Sequence, residues 1–344
     1  MDAGNLSQWA DDAVRRVWAE HRVTPLRTVE RVSPDGVTVL LKDESLLPTG
    51  SLKYRHLGAM YCQAIARGRI AAGTPVVVGT GGAVAVAGAY FARLLELPFT
   101  AVVPAKTASG VLERIEGFGG RWQVGELPPV AIQEEATELA ARVGGYFLDH
   151  FTDADTAMSA AGPTVAEEVF KEVTPDWIVV GVGTGATSAA IGRHLRQHGL
   201  PTRLAVVDPE NSAYFPAWVT GAADYGTGMP SRIPGIGRPR VEPGFQPDLI
   251  DLVIPVPDAA AVAAMGWLHR VAGVNAGPAT GANLWGARYL AARLAEERGS
   301  GTVVTVNGDN GDAYRHTHLD ADWVRARGLD PAPFEAEIAE WDRR

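Results

Sequence analysis

The chain is short of cysteine, of long apolar runs and of basic excess, and each shortage removes a class of function. Its 344 residues include one cysteine, Cys62, so it can form no intrachain disulfide and nothing supports a structural zinc site. Cys62 lies in the apolar run Met60 to Ile65, where a thiol is expected to be buried and inert. No uninterrupted apolar stretch reaches the roughly 20 residues of a membrane helix. The start Met1-Asp2-Ala3-Gly4 is acidic and polar, so no secretory signal is visible and the cytoplasm is the expected compartment. Acidic residues outnumber basic ones by 40 to 31, for a net charge of −9. Nucleic acid and anionic membranes both reward basic surfaces, so neither is expected as a partner.

What is present is ordinary globular material, 46% hydrophobic and 21% charged. The length exceeds that of a usual single domain and predicts two lobes with a cleft for a small ligand. Apolar strand-like runs alternate with helical periodicity. Ser7 to His21 reads as a helix, Val37 to Leu41 as a buried strand, and Lys53 to Arg69 as a helix. Pro75 to Val78, Thr100 to Val103, Arg121 to Val124, Trp177 to Val182, Leu204 to Val207, Ile250 to Val256 and Thr302 to Val306 read as further strands, with helices between. The fold class is therefore α/β, with mostly parallel sheets flanked by helices in each lobe. The segment Asn211 to Gln246 is rich in Gly and Pro and too long for a simple connection, which suggests a substrate loop.

Three stretches carry chemistry. Pro48-Thr49-Gly50-Ser51-Leu52-Lys53 delivers a lysine to the start of a helix. The partial positive charge there favours the neutral amine, which can attack a carbonyl and form a Schiff base. A solvated lysine on a helix capped by Ser51 is the plain alternative. Gly79-Thr80-Gly81-Gly82-Ala83 and Gly183-Thr184-Gly185-Ala186-Thr187 each follow a strand and open a helix. Such turns offer backbone N–H groups to an anion, although one alone is often only a tight turn. The repetition in both halves is the informative feature.

With Ile233 to Gly237 and Gly277 to Ala282, these stretches stand in the order found in the cysteine synthase and cystathionine β-synthase family. The chain resembles that family of fold type II pyridoxal-phosphate (PLP) enzymes over nearly its whole length. Tyr90 to Leu95 and Val207 to Ser212 resemble its actinobacterial branch of cysteine desulfhydrases and S-sulfocysteine synthases. The resemblance implies a smaller lobe over 46–154, carrying the mobile substrate loop, and a larger lobe formed by 1–45 and 155–344. It implies Lys53 as the Schiff-base lysine and proton carrier, with Gly183, Thr184, Gly185, Ala186 and Thr187 as the phosphate cup. It places the substrate carboxylate at Thr80, Gly81, Gly82 and Ala83, and Gly235 beneath the substrate-bound cofactor. The implied reaction is elimination or replacement at Cβ of a serine- or cysteine-derived amino acid through an aminoacrylate, without a metal, in a homodimer.

Three departures qualify that expectation. Gly82 stands where the family has Asn, or Ser in the branch just named, facing the cofactor's 3-hydroxyl, and Ala83 replaces the following hydroxyl residue. Ala279 stands where a serine touches the pyridine nitrogen, with Thr280 beside it as a substitute. A nitrogen lacking a charged partner makes a weaker electron sink and favours elimination at Cβ. His150 occupies a position that is often Gln; a histidine there can act as acid or base near neutral pH, or simply fix Phe151. His56, His194 and His198 are expected to be solvated among arginines. The altered loops suggest a specialised, bulkier substrate. A catalytically silent paralogue that binds a metabolite or partner enzyme, and a serine/threonine deaminase, are the alternatives.

Overall fold

A computed structural model describes residues 3–127, 131–152, 156–158 and 164–341, with side chains from residue 8 onward. In chain order, helix α1 (Ala3–Ala19) precedes strands β1 (Leu26–Thr28) and β2 (Val37–Asp43). Next come α2 (Lys53–Ala66), β3 (Val76–Gly79), α3 (Ala83–Leu94), β4 (Phe99–Val103), α4 (Ser109–Gly117), β5 (Arg121–Val124), α5 (Ile132–Arg142) and β6 (Tyr146–Phe147). The later part contains α6 (Val165–Glu172), β7 (Trp177–Gly181), α7 (Ala186–Gln197), β8 (Arg203–Pro209), α8 (Tyr214–Thr220) and β9 (Leu252–Val256). It ends with α9 (Asp258–Arg270), α10 (Pro278–Arg298), β10 (Gly301–Asn307), α11 (Ala321–Ala326) and α12 (Ala332–Trp341). No helix among the described residues is long and apolar enough to cross a membrane.

The chain forms two compact units, the first comprising the segment up to Arg22 with Leu47–Pro163, and the second Val23–Leu46 with the chain from Thr164 onward. The expected boundary at 154/155 lies outside the described residues. The segment up to Arg22, placed with the larger lobe on sequence, packs in the first unit instead. There the Tyr54 hydroxyl donates to the Glu20 carbonyl at 2.6 Å, and Arg16 pairs with Glu96 at 3.2 Å.

In the first unit, β5, β4, β3 and β6 lie in that order in a parallel sheet. Val76, Val77 and Val78 are fully buried in its middle, as expected when helices cover both faces of a parallel sheet. Val77 and Val102 pack against Ile132, Ala136 and Leu139 of α5. A Cβ on Gly79 would lie 2.6 Å from the Ile132 carbonyl oxygen, so this glycine allows α5 to approach the sheet closely.

The second unit has the strand order β1-β2-β10-β7-β8-β9, antiparallel at β1 and parallel elsewhere. Helices α9 and α10 contribute Ala260, Ala264, Leu268, Leu284 and Leu290 to its core, which includes Val39, Val179, Val207 and Val303 of the strands. Gly277 to Gly281 is the entry to α10: Pro278 occupies the first helical turn, where its missing N–H costs nothing. Gly281 lies inside the helix because a Cβ there would come within 2.0 Å of the Ala261 carbonyl oxygen. The long segment after Asn211 contains α8 and an antiparallel bridge between Gly226 and Arg240.

Candidate active site

Lys53 is the first residue of α2, and its backbone N–H donates to the Ser51 hydroxyl at 3.2 Å. Gly50, with φ +62°, makes the left-handed turn into the helix. Beyond that start α2 is enclosed. Tyr54, His56, Leu57, Met60, Tyr61 and Cys62 are all buried, the Tyr61 hydroxyl donates to the Gly88 carbonyl at 2.9 Å, and a Cβ on Gly58 would touch the Phe91 ring at 2.9 Å. Burial raises the Cys62 thiol to about 11, which matches the inert role expected for it.

His56, expected to be solvated, is instead 1% exposed, and neither ring nitrogen has a hydrogen-bond partner among the described residues. Leaving a buried polar atom unpaired costs about 1–3 kcal/mol. Its pKa is held well below the ordinary histidine value, first by burial, then by the charges of Lys53 and His150, so it is neutral. His150 is 3% exposed and lies against Phe151, with ring centroids 4.3 Å apart. It follows β6, whose neighbour β3 runs into the Gly79 turn. The first unit therefore gathers Lys53, His56 and His150 electrostatically and sets the Gly79 turn at the carboxyl end of the strand beside His150.

In that turn Gly82 precedes α3, in extended backbone with φ −136°, and no side chain caps the helix. Among the described residues a Cβ on Gly82 would meet nothing within 4 Å, whereas one on Gly81 would lie 2.2 Å from the Thr107 hydroxyl. Thr80 and Ala83 are half-buried, and the first N–H groups of α3 have no intrahelical partners. The turn can therefore receive an anion through its backbone, with open volume at Gly82.

The second turn is built differently. Gly185, at φ +84°, is the N-cap of α7, with no side-chain cap. A Cβ on Gly183 would lie 2.1 Å from the Gly235 carbonyl oxygen, and one on Gly185 2.0 Å from that of Gly244. Thr184 and Ala186 are buried and Thr187 is half-buried. The Thr184 hydroxyl accepts from the Ala186 N–H at 3.4 Å, and the Tyr214 hydroxyl donates to the Gly183 carbonyl. Arg238 sends Nη2 to 3.7 Å from the place a Gly183 Cβ would take. Uncapped helix N–H groups, a buried hydroxyl and a nearby guanidinium suit a phosphate dianion, so these residues fit the phosphate of PLP.

At the end of β10, adjacent to β7, the fully buried Thr280 hydroxyl donates to Asn307 Oδ1 at 2.9 Å and accepts from the Gly308 N–H at 3.1 Å. Asn307 in turn donates to Asp43 at 2.9 Å, as does the Ser45 hydroxyl at 2.6 Å. Thr280 has one proton to donate, and it is spent on this network. Its hydroxyl shapes the strand end and has no proton left for a further acceptor.

Sequence reasoning missed His56, Tyr214, Arg238 and the Asp43–Asn307–Thr280 chain. The signal for His56 was its spacing: it lies three residues after Lys53 and four before Met60, on the face the apolar residues occupy. The others lie on segments that meet only in the folded chain.

Comparison with known proteins agrees with this geometry. The chain is 43% identical to L-cysteine desulfhydrase Cds1 of Mycobacterium tuberculosis over 97% of its own length and 95% of the relative's. It is 26% identical to cysteine synthase B of Escherichia coli, over 86% of this chain and 92% of that one. Among solved structures, O-ureido-L-serine synthase superposes with a TM-score of 0.78 at 23% identity, over 90% of this chain and 98% of that one. The family model for pyridoxal-phosphate dependent enzymes matches residues 17–309. The chain therefore belongs to the pyridoxal-phosphate dependent enzyme family.

Proposed function

We propose that the protein acts at Cβ of a serine- or cysteine-derived amino acid, with elimination as its main outcome. The observations that carry the reading lie one in each unit: a lysine at the start of an enclosed helix, and an uncapped, tightly packed glycine turn suited to phosphate. When bound, PLP supplies the electron sink that lets the bonds at Cα and then at Cβ break. Lys53 holds the cofactor, takes the α-proton and later returns a proton. Gly183, Thr184, Gly185, Ala186 and Thr187 hold the phosphate, with Arg238 adding positive charge.

The N–H groups at Gly81 to Ala83 and the Thr80 hydroxyl take the substrate carboxylate. Gly235, at φ +88°, lines the substrate position with its backbone, and His150 supplies an imidazole. Ala279 offers the pyridine nitrogen no donor, and Thr280 has none to spare, which favours elimination over longer-lived carbanion chemistry. The 43% identity to a protein named L-cysteine desulfhydrase supports the same outcome. The open space at Gly82 supports a side chain larger than that of serine. The same reading makes the protein a cytoplasmic homodimer whose partner is a small amino acid and not nucleic acid.

The test is to load the purified protein with PLP, record the visible absorption of the lysine-bound cofactor, and supply L-cysteine alone or O-acetyl-L-serine with sulfide. Release of sulfide, pyruvate and ammonia from cysteine is expected, and Lys53→Ala should lose the band and about 10³-fold or more in rate. A wild-type protein that neither develops the band nor releases pyruvate overturns the reading.

A further inference from the structure

Tyr214 carries a hydroxyl that its packing alone does not explain. The side chain is fully buried, and its ring stacks on Phe245 with centroids 4.5 Å apart and planes 24° apart. A phenylalanine would fill that stack equally well. The phenol adds one hydroxyl, and a buried hydroxyl needs a partner. Here it donates to the Gly183 carbonyl. Burial raises its pKa above the ordinary 10.0, so the proton that makes this bond stays on the oxygen. The ring itself is fixed from both sides. At the start of α8 the Tyr214 N–H donates to the Ser212 hydroxyl at 3.4 Å and the Phe215 N–H to Asp208 at 2.8 Å. Phe245 follows Gly244, whose carbonyl oxygen lies 2.0 Å from the place a Gly185 Cβ would take. All of these residues belong to the second unit.

What the hydroxyl holds is a peptide plane. No described peptide bond is cis, and in a trans peptide the C=O and the N–H point in opposite directions. A hydroxyl that holds the Gly183 carbonyl therefore directs the Thr184 N–H away from Tyr214. Thr184 is 2% exposed, and its N–H has no acceptor among the described residues. Buried N–H groups nearly always have a partner, so this one is suited to a ligand. Gly183 cannot set the plane by itself, because a glycine backbone turns freely, and the Gly235 carbonyl oxygen leaves no room for a side chain that would restrain it. We propose that the Tyr214 hydroxyl is the positioning group that turns the Thr184 N–H toward the cofactor's phosphate, so that the turn selects PLP over phosphate-free pyridoxal. This rests on the reading of Gly183 to Thr187 as the phosphate cup. Without the hydroxyl the Gly183 carbonyl is released and can rotate toward the dianion, where its negative end repels the charge. Tyr214 acts through the Gly183–Thr184 peptide, so its effect is confined to the phosphate.

The full chain, stripped of cofactor and titrated separately with PLP and with pyridoxal, reads the selection directly, because the two share ring and aldehyde and differ in the phosphate. Tyr214→Phe keeps the ring and its stack. It should lose about tenfold or more in PLP affinity, as expected for one hydrogen bond to a charged group, with pyridoxal affinity unchanged. In ³¹P NMR of the loaded variant, the bound phosphate should shift toward its resonance in free PLP. An equal loss for both ligands makes Tyr214 a packing residue and overturns the proposal, as does an unchanged PLP affinity.

The wild-type chain gives a second readout, whether or not Tyr214→Phe folds. In protein labelled with ¹⁵N-threonine, the Thr184 N–H resonance should move on adding inorganic phosphate, and should move further with PLP than with pyridoxal. A resonance that ignores phosphate, or that responds alike to PLP and pyridoxal, sinks the proposal. If wild-type protein binds pyridoxal as tightly as PLP, or lacks the lysine-bound band, the phosphate cup fails first and takes the role of Tyr214 with it. If wild-type protein prefers PLP and Tyr214→Phe prefers it by the same factor, the role of Tyr214 alone fails.

Discussion

Gly183 and Gly185 have no room for a side chain, with carbonyl oxygens 2.1 and 2.0 Å from the positions their Cβ atoms would take. Gly82, the N-cap of α3 as Gly185 is of α7, has nothing within 4 Å among the described residues and an ordinary extended backbone. In sequence the two turns are near copies: strand, Gly-Thr-Gly, helix. The second is held by the packing of the Gly235 and Gly244 backbones, by Tyr214, and by a left-handed Gly185 that only glycine adopts cheaply. The first depends on no such contact at Gly82. Glycine at positions 183 and 185 is thus a demand of the fold, whereas the described fold makes no such demand at position 82.

The comparison breaks most visibly at Gly185. Gly185→Ala combines a left-handed φ of +84° with a contact of 2.0 Å to a backbone oxygen that cannot swing aside. Left-handed strain alone costs about 1–2 kcal/mol, and the clash should bring the loss to about 3 kcal/mol or more. Denaturant titration should show the destabilisation, and spectrophotometric titration with PLP should show cofactor affinity falling with it. An alanine variant of wild-type stability and cofactor affinity would mean that the turn is not held as described.

The scaffold behind the second turn can be probed through pH. Asp208 is 2% exposed at the end of β8, and its carboxylate accepts from the Phe215 N–H at 2.8 Å, beside Tyr214, which donates to Gly183. Burial raises its pKa from 3.8 to about 6, against the lowering effect of hydrogen bonds from Ser212 and Phe215. A raised carboxyl pKa means that the folded state binds the proton more tightly than the unfolded state. Its stabilising effect is full below about pH 4 and is lost as pH rises through about 6. Asp208→Asn keeps an acceptor for Phe215 and cannot ionise. Relative to wild type, this variant should gain about 2 kcal/mol of stability between pH 4.5 and 7.5. A pH-independent difference would show that Asp208 ionises in the fold without penalty.

Much of this architecture was legible from the chain because its signals are local. The valine-rich runs from Val37 and Val76, and the apolar run Trp177 to Val182, announce strands buried on both faces. The Gly50-Ser51-Lys53 spacing announces a helix start with a lysine on it. What escaped depends on neighbours distant in sequence. β1 has three residues and exists by pairing antiparallel with β2. Gly281 looks like a helix breaker and is instead the point where α10 meets the α9 backbone. His56 lies between Arg55 and Leu57, and charged neighbours argue for solvent, yet α2 is buried nearly all round. Thr280 is the clearest case: residue type and position identify a hydroxyl near the expected pyridine ring, and only the bonds to Asn307 and Gly308 reveal where its proton points.

The smallest expected effect on stability is also the sharpest test of the contrast between the turns. Gly82→Ala places a methyl in empty space on a backbone that alanine adopts freely. It should change stability by no more than about 0.5 kcal/mol, with any shift toward stabilisation, because alanine has less conformational freedom to lose. Gly82→Ser should be equally silent in denaturant titration, yet it adds a hydroxyl to the turn assigned to the substrate carboxylate. If the open volume serves a bulky substrate, the serine variant should lose kcat/KM on larger β-substituted alanines while holding or gaining on O-acetyl-L-serine. Equal effects across substrate sizes would remove the specificity role from Gly82. A loss of stability comparable to that of Gly185→Ala would erase the distinction itself, since both glycines would then be requirements of the backbone.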